Sequence, residues 1–324
     1  MKKKFLPLFL SLLVSVSVCA EDLATGLKHY KQEEFKEALE YFNNPEFQDN
    51  PLVQFNLGEM YLKGYGVEKD CTKALGSYQK AAAQRHVAAE FALAGLYRNG
   101  ECVQRDTDKA ISWYEKAGKD GHAAAYTKIG VIYMTGDDDV VKDSREAARW
   151  FQKSADMGDP EAQCHLGTFY MKGLGVRKNY EKARQLLEKG AVKKNACSMS
   201  HLAVIYGEGL GTSTDLEKAI KLVKEAAELG YPAAQYNLGR AYELGEGLAE
   251  SPEDAYKWYE EAARNGSIRS MERLAEIHIF GQLGQSKNQV KGREWQKRAD
   301  ETRVQLRLPK PSIASRGISR MLED

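Results

Sequence analysis

Residues 162–176 read AQCHLGTFYMKGLGV, and three of them decide the fold: Leu166, Tyr170 and Gly173. The same three kinds of residue return every 36 or 37 positions along the chain. The aromatic recurs as Tyr61, Tyr97, Tyr133, Tyr170, Tyr206 and Tyr242, with His278 at the next position. Four residues earlier stands an apolar anchor: Leu57, Leu93, Ile129, Leu166, Leu202, Leu238 and Leu274. Three residues later stands a glycine: Gly64, Gly100, Gly136, Gly173, Gly209, Gly245 and Gly281. Seven consecutive hits in three columns mark a repeat protein, in which each unit completes its core only against its neighbours.

Each unit reads as two helices. A small residue, the leucine and the tyrosine fall on one helical face at i, i+4 and i+8, with a second small residue directly after the leucine. Pairs such as Gly173-Leu174-Gly175 and Gly209-Leu210-Gly211 end the first helix, because glycine accepts the left-handed dihedrals of a helix C-terminus. Asp70, Asp106, Asp143 and Asp215 then open the second helix, as the positive end of a helix dipole favours. That helix carries alanine followed by aromatics, as in Ala110-Ile111-Ser112-Trp113-Tyr114 and Ala255-Tyr256-Lys257-Trp258-Tyr259. The fold class expected is all-α: a right-handed α-solenoid of stacked antiparallel helix pairs.

These motifs resemble the Sel1-like repeat (SLR), a branch of the tetratricopeptide superfamily, whose pattern is Ala-x-x-Leu-Gly-x-x-Tyr, Gly-x-Gly-Val and Lys-Ala-x-x-Trp-Tyr-x-Lys-Ala-Ala. Six repeats are expected over residues 52–268. A shorter tetratricopeptide-like cap, marked by Ala38 and Phe42, precedes them over 21–51. A degenerate unit over 269–302, where His278 replaces tyrosine, is expected to cap the far end. Residues 303–324, with Arg303, Arg307, Lys310, Arg316 and Arg320, read as a basic mobile tail.

The chain of 324 residues carries 47 Lys+Arg against 46 Asp+Glu, a balance that argues against nucleic acid as a partner. Lys2, Lys3 and Lys4 followed by apolar Phe5 to Val18 have the form of a signal peptide, with cleavage expected after Ala20. Cys19 as a lipidated cysteine is the alternative, disfavoured by the bulky Val18 before it. Loss of residues 1–20 removes three lysines, leaving 44 basic and 46 acidic residues, a net charge of −2. No later segment is apolar enough to span a membrane. An exported protein of the periplasm is expected.

Four cysteines lie beyond the signal: Cys71, Cys102, Cys164 and Cys197. An even count in an oxidising compartment points to disulfides, and four cysteines allow three pairings. The repeat frame places each of Cys71–Cys102 and Cys164–Cys197 in adjacent units, within reach of a bridge. Free buried thiols are the alternative. No Cys/His cluster shows zinc spacing along the sequence, so neither metal nor cofactor is expected. His165 and His201, one period apart, are the remaining candidates for a bridged ion, with ordinary surface histidines as the alternative.

Catalytic motifs are sparse. Ser77-Tyr78-Gln79-Lys80 matches the Ser-x-x-Lys of penicillin-recognising enzymes but sits inside a repeat helix without Lys-Thr-Gly or Ser-Asp-Asn. Asp137-Asp138-Asp139 has the charge of a calcium loop without its ligand spacing. The variable positions lie on the first-helix face turned away from its partner helix. Lys63, Lys128, His165, Lys172, His201, Glu208 and Arg240 are therefore the expected partner-binding residues of a concave surface. The function expected is a non-catalytic scaffold for another protein. The SLR resemblance implies roles such as envelope regulator, adaptor or immunity protein against a type VI secreted phospholipase, with a β-lactam-binding or hydrolysing enzyme of the cysteine-rich SLR type as the alternative.

Overall fold

The computed structural model describes residues 21–137 and 139–306, and among these the regular elements are all helical. The described chain forms two compact units that divide after Lys142. The first opens with helix α1 (21–31) and α2 (Phe35–Phe42), then a 3-10 turn at Pro45–Phe47. It continues through α3 (Pro51–Lys63), α4 (Cys71–Ala83), α5 (Val87–Asn99), α6 (Thr107–Lys119) and α7 (Ala123–Thr135). The second holds α8 (Ser144–Asp156), α9 (Pro160–Lys172), α10 (Tyr180–Val192), α11 (Ala196–Glu208) and α12 (Leu216–Glu228). It ends with α13 (Pro232–Leu244), α14 (Pro252–Arg264), α15 (Ile268–Phe280) and α16 (Gln289–Gln305). Within each unit every helix packs against the next, giving the stacked helix pairs that the repeat predicts.

The expected caps form. Asp70, Asp106, Asp143 and Asp215 each accept a hydrogen bond from a backbone N–H in the first turn of the helix they open. Gly64, Gly100, Gly173, Gly209, Gly245 and Gly281 close the first helices in the left-handed region. A further bond fixes the hairpin. The capping residue of the second helix donates its N–H to the carbonyl of the recurring aromatic: Asp70 to Tyr61, Asp106 to Tyr97, Asn179 to Tyr170, Asp215 to Tyr206 and Ser251 to Tyr242. Lysines of the second helix then lie over the same rings, Lys73 on Tyr61 at 5.2 Å and Lys218 on Tyr206 at 3.8 Å.

The small residue after each anchor makes room for the opposite helix. A Cβ at Gly58 would stand 2.8 Å from the ring of buried Tyr78, and one at Gly239 would stand 2.9 Å from buried Tyr259. The anchors Leu57, Leu93, Ile129, Leu166, Leu202, Leu238 and Leu274 are all buried.

Arg303 corrects the expected start of the tail. It lies inside α16, buried, with ion pairs to Glu272 at 2.8 Å and Asp300 at 3.2 Å, so the last helix runs to Gln305. A run of basic residues suggests a solvated tail, whereas Arg303 is buried and its guanidinium is paired. The signal peptide expected over 1–20 and the tail expected from 307 onward lie outside the described residues. No described helix is long and apolar enough to cross a membrane.

Candidate partner-binding face

In the second unit the first helices α9, α11 and α13 touch one another in turn, which brings their variable columns side by side. His165 stacks on Phe151 with ring centroids 4.7 Å apart. His201, one repeat on, is half-buried; burial, with the charges of Lys172 and His165 nearby, pushes its pKa down to about 4, so the ring is neutral at physiological pH. These three predicted residues thus form one group. Glu208 ends α11, exposed, with its carboxyl held above the usual range by burial against the opposing pull of Arg240. Arg240 in turn pairs with Glu246 at 3.3 Å.

A tighter network follows that the sequence reading did not include. Arg273 on α15 makes a bidentate pair with Glu243 on α13 and reaches Glu276 at 3.0 Å and Gln282 at 2.8 Å. Tyr259 donates to the same Glu243 carboxylate at 2.6 Å. Burial opposes ionisation of Glu243, but the Arg273 and Tyr259 hydrogen bonds outweigh it and keep its pKa low. Arg273 stood in the same column as His165 and His201, so only its acidic partner was hidden. Beside this network Leu244 and Phe280, which end α13 and α15, are 55% and 60% exposed. Charged groups therefore flank two exposed apolar side chains at equivalent repeat positions.

In the first unit Lys63 ends α3, exposed, and forms an ion pair with Glu59, which also accepts from the Tyr78 hydroxyl at 2.5 Å. Lys128 is half-buried on α7. The two lysines lie on different helices of that unit, α3 and α7. Asp137 is engaged from within the fold. It accepts from Arg98 at 3.0 Å, Arg105 at 2.9 Å and Thr107 at 3.0 Å, and from the backbone N–H groups of Asp139 and Val140. Burial raises its pKa, yet these donors outweigh it and bring the group to about 2. A carboxylate so occupied has little left for calcium, and the loop it shapes departs from the standard glycine cap, with Gly136 at φ 69 and ψ 173.

A cleft of about 430 Å³ opens where α4, α5 and α6 meet, lined among others by Arg85, Glu90, Trp113, Lys116 and Asp120. Glu90 is 3% exposed, and one of its carboxylate oxygens has no hydrogen-bond partner. Ser77 is buried in α4, whereas Lys80, one turn on, is exposed.

Both expected disulfides are present. Cys71 pairs with Cys102 across 5.0 Å between Cα atoms and Cys164 with Cys197 across 6.0 Å, each joining adjacent repeats. Two such bridges point to an oxidising, exported compartment.

The sequence pattern of the Sel1 repeat matches residues 51–86, 87–122, 123–159, 160–191, 198–231, 232–267 and 268–299. The chain belongs to the Sel1 repeat family. Among solved structures it is similar to a protective antigen present in uropathogenic Escherichia coli strains and displaying an SLR fold, at 28% identity and a TM-score of 0.70 over 89% of this chain. The chain spans 62% of the length of that antigen. It is similar also to a Sel1 repeat protein from Oxalobacter formigenes, at 32% identity and a TM-score of 0.56, over 86% of this chain and 99% of that one. The immunity protein PA5088 from Pseudomonas aeruginosa shares the fold at 21% identity and a TM-score of 0.50, over 72% of this chain and 88% of that one. No curated protein matches the sequence significantly.

Proposed function

We propose that this Sel1 repeat protein is an exported, non-catalytic scaffold of the periplasm that binds another protein with the first-helix face of its second unit. The observation that carries this reading is the juxtaposition of paired charges with exposed Leu244 and Phe280 on helices whose packing columns are otherwise closed. Apolar anchors beside arginines, rimmed by charge, have the make-up of a protein interface. Lys172, His165 and His201 extend the face towards α9, and Glu208 and Arg240 continue it along α11 and α13. Lys63 and Lys128 would contribute separately, from the first unit. A role as an immunity protein fits this design, because neutralising a toxin requires a rigid complementary surface and no chemistry. An immunity protein with the same fold, PA5088, makes that the specific role we favour over an envelope regulator.

Affinity capture from periplasmic extract tests the assignment. The wild-type protein should retain a partner that the Lys172→Glu, Arg240→Glu variant loses, with circular dichroism showing that the variant remains folded. Capture that survives both charge reversals would remove the binding face from this position.

A further inference from the structure

Cys197 is the second residue of α11, and His201 follows one turn later on the same side of that helix. Cys164 reaches them from α9. One donor atom from each of the three residues lies within 4.8 Å of the other two, the only such group of histidine, cysteine and acidic side chains among the described residues. Along the sequence Cys164 is too distant to count as a partner of the Cys-x-x-x-His pair; the packing of α9 on α11 supplies it. The Cys71–Cys102 bridge has no third donor of this kind among the described residues.

While the disulfide is intact its sulfurs are poor ligands, since a thiolate, not a bonded disulfide, binds a metal. The arrangement changes once the bond opens. Zinc holds thiolate sulfur at ~2.3 Å and imidazole nitrogen at ~2.0–2.1 Å, so donors around one ion stand roughly 3.5–4 Å apart. The cluster is already near that size, and helices whose cysteine Cα atoms are 6.0 Å apart need only side-chain rotation to reach it. Cys164 is 1% exposed while Cys197 and His201 are half-buried, which gives the site an enclosed side and an entrance.

We propose that reduction of the Cys164–Cys197 disulfide converts this staple into a site for a thiophilic divalent cation of the zinc type, held by both thiolates and the His201 imidazole with water in the fourth position. A dithiol reductant opens the bond by thiol–disulfide exchange. Two electrons and two protons pass from it to Cys164 and Cys197, and it closes its own disulfide. The cation then displaces both thiol protons to solvent, and the imidazole adds a ring lone pair without losing a proton. The link between α9 and α11 is thereby kept in either redox state, covalent when oxidised and coordinate when reduced. This inference rests on the placement of these three residues and not on which partner binds the face to which His201 also belongs.

The test uses the full chain carrying Cys71→Ser and Cys102→Ser, so that only the second bridge can respond. The protein is reduced without oxygen, freed of reductant and titrated with Co²⁺ as a spectroscopic substitute for Zn²⁺. We expect one equivalent to bind with sulfur-to-cobalt charge-transfer absorption and the visible bands of a four-coordinate ion, both removed by added Zn²⁺ and both absent from the oxidised protein. His201→Ala should weaken binding by more than ~10-fold, since loss of even an outer partner of a ligand costs that much, and His201→Cys should restore it. Should the double-serine background fail to fold, the comparison of His201→Ala with the reduced natural sequence reads the same difference. Absence of a thiolate charge-transfer band, or equal affinity with and without His201, overturns the proposal.

Discussion

The buried carboxylate of Glu90 faces the charge of Asp120, at the two positions where Gln235 and Asn265 hydrogen-bond to each other four repeats later. In the amide version Gln235 also donates to the Ala227 carbonyl at 3.1 Å, as Gln163 donates to Ala155 at 3.4 Å. Ala82 is the equivalent carbonyl for Glu90, and an ionised carboxylate has no proton to give it. Burial, then Asp120, accordingly hold the Glu90 pKa above the ordinary range. The first unit therefore carries an acid pair in a place built for amides.

Glu90→Gln should stabilise the protein by ~1 kcal/mol or more at neutral pH, the scale of a regained buried hydrogen bond. The sign follows from linkage: a raised carboxyl pKa means the folded state binds the proton more tightly, so the wild-type protein loses stability as pH rises from the unfolded value of Glu90 to its folded one. The gain from Glu90→Gln should shrink when urea melts are repeated near pH 4. A variant less stable than wild type at pH 7 would contradict the amide comparison.

Asp137 gives the opposite slope. Its folded pKa of about 2 lies below the ordinary 3.8, so its stabilisation is complete above pH 3.8 and is lost as pH falls towards 2. Asp137→Asn should cost ~2 kcal/mol at neutral pH, from a shift of that size at about 1.4 kcal/mol per unit. The deficit should disappear in acid, as chemical denaturation across pH 7 to 2 would show.

Two helical glycines should respond in opposite directions. A methyl group at Gly58 meets the Tyr78 ring, so Gly58→Ala should destabilise by ~1–3 kcal/mol through overpacking. Nothing lies within 4 Å of a Cβ at Gly76 on α4, so Gly76→Ala should stabilise by up to ~1 kcal/mol through helix propensity. Paired thermal melts decide both.

Removal of either bridge should lower the melting temperature. Cys71→Ser with Cys102→Ser is expected to cost ~2–4 kcal/mol, the usual range for a disulfide. An unchanged melt in dithiothreitol would mean that the bridges add nothing to the fold.

Columns that pack were legible in the sequence because packing constrains residue type: Leu166, Tyr170 and Gly173 each have one physical task repeated in every unit. The cysteine pairs were legible for the same reason, since the repeat frame converts sequence separation into neighbouring positions. Contacts that depend on the angle between helices were not. Arg98 and Arg105 precede Asp137 by a whole unit, and nothing in their spacing marks them as its partners. Cys164 joins Cys197 and His201 only because α9 lies against α11. Arg303 looked like one more tail cation, because the sequence does not show that Glu272 waits opposite it. Of the seven residues expected on the binding face, five share one unit, whereas Lys63 and Lys128 belong to the other.

The bond from the second-helix cap to the carbonyl of the recurring aromatic, made by Asp70, Asp106, Asn179, Asp215 and Ser251, spans a single glycine loop. A hairpin so latched depends on no distant strand or domain for its closure, which keeps the topology simple and folding quick. A chain arriving end-first, whether from a ribosome or a translocation pore, can thus zip up one hairpin at a time, each finished turn serving as the template for the next.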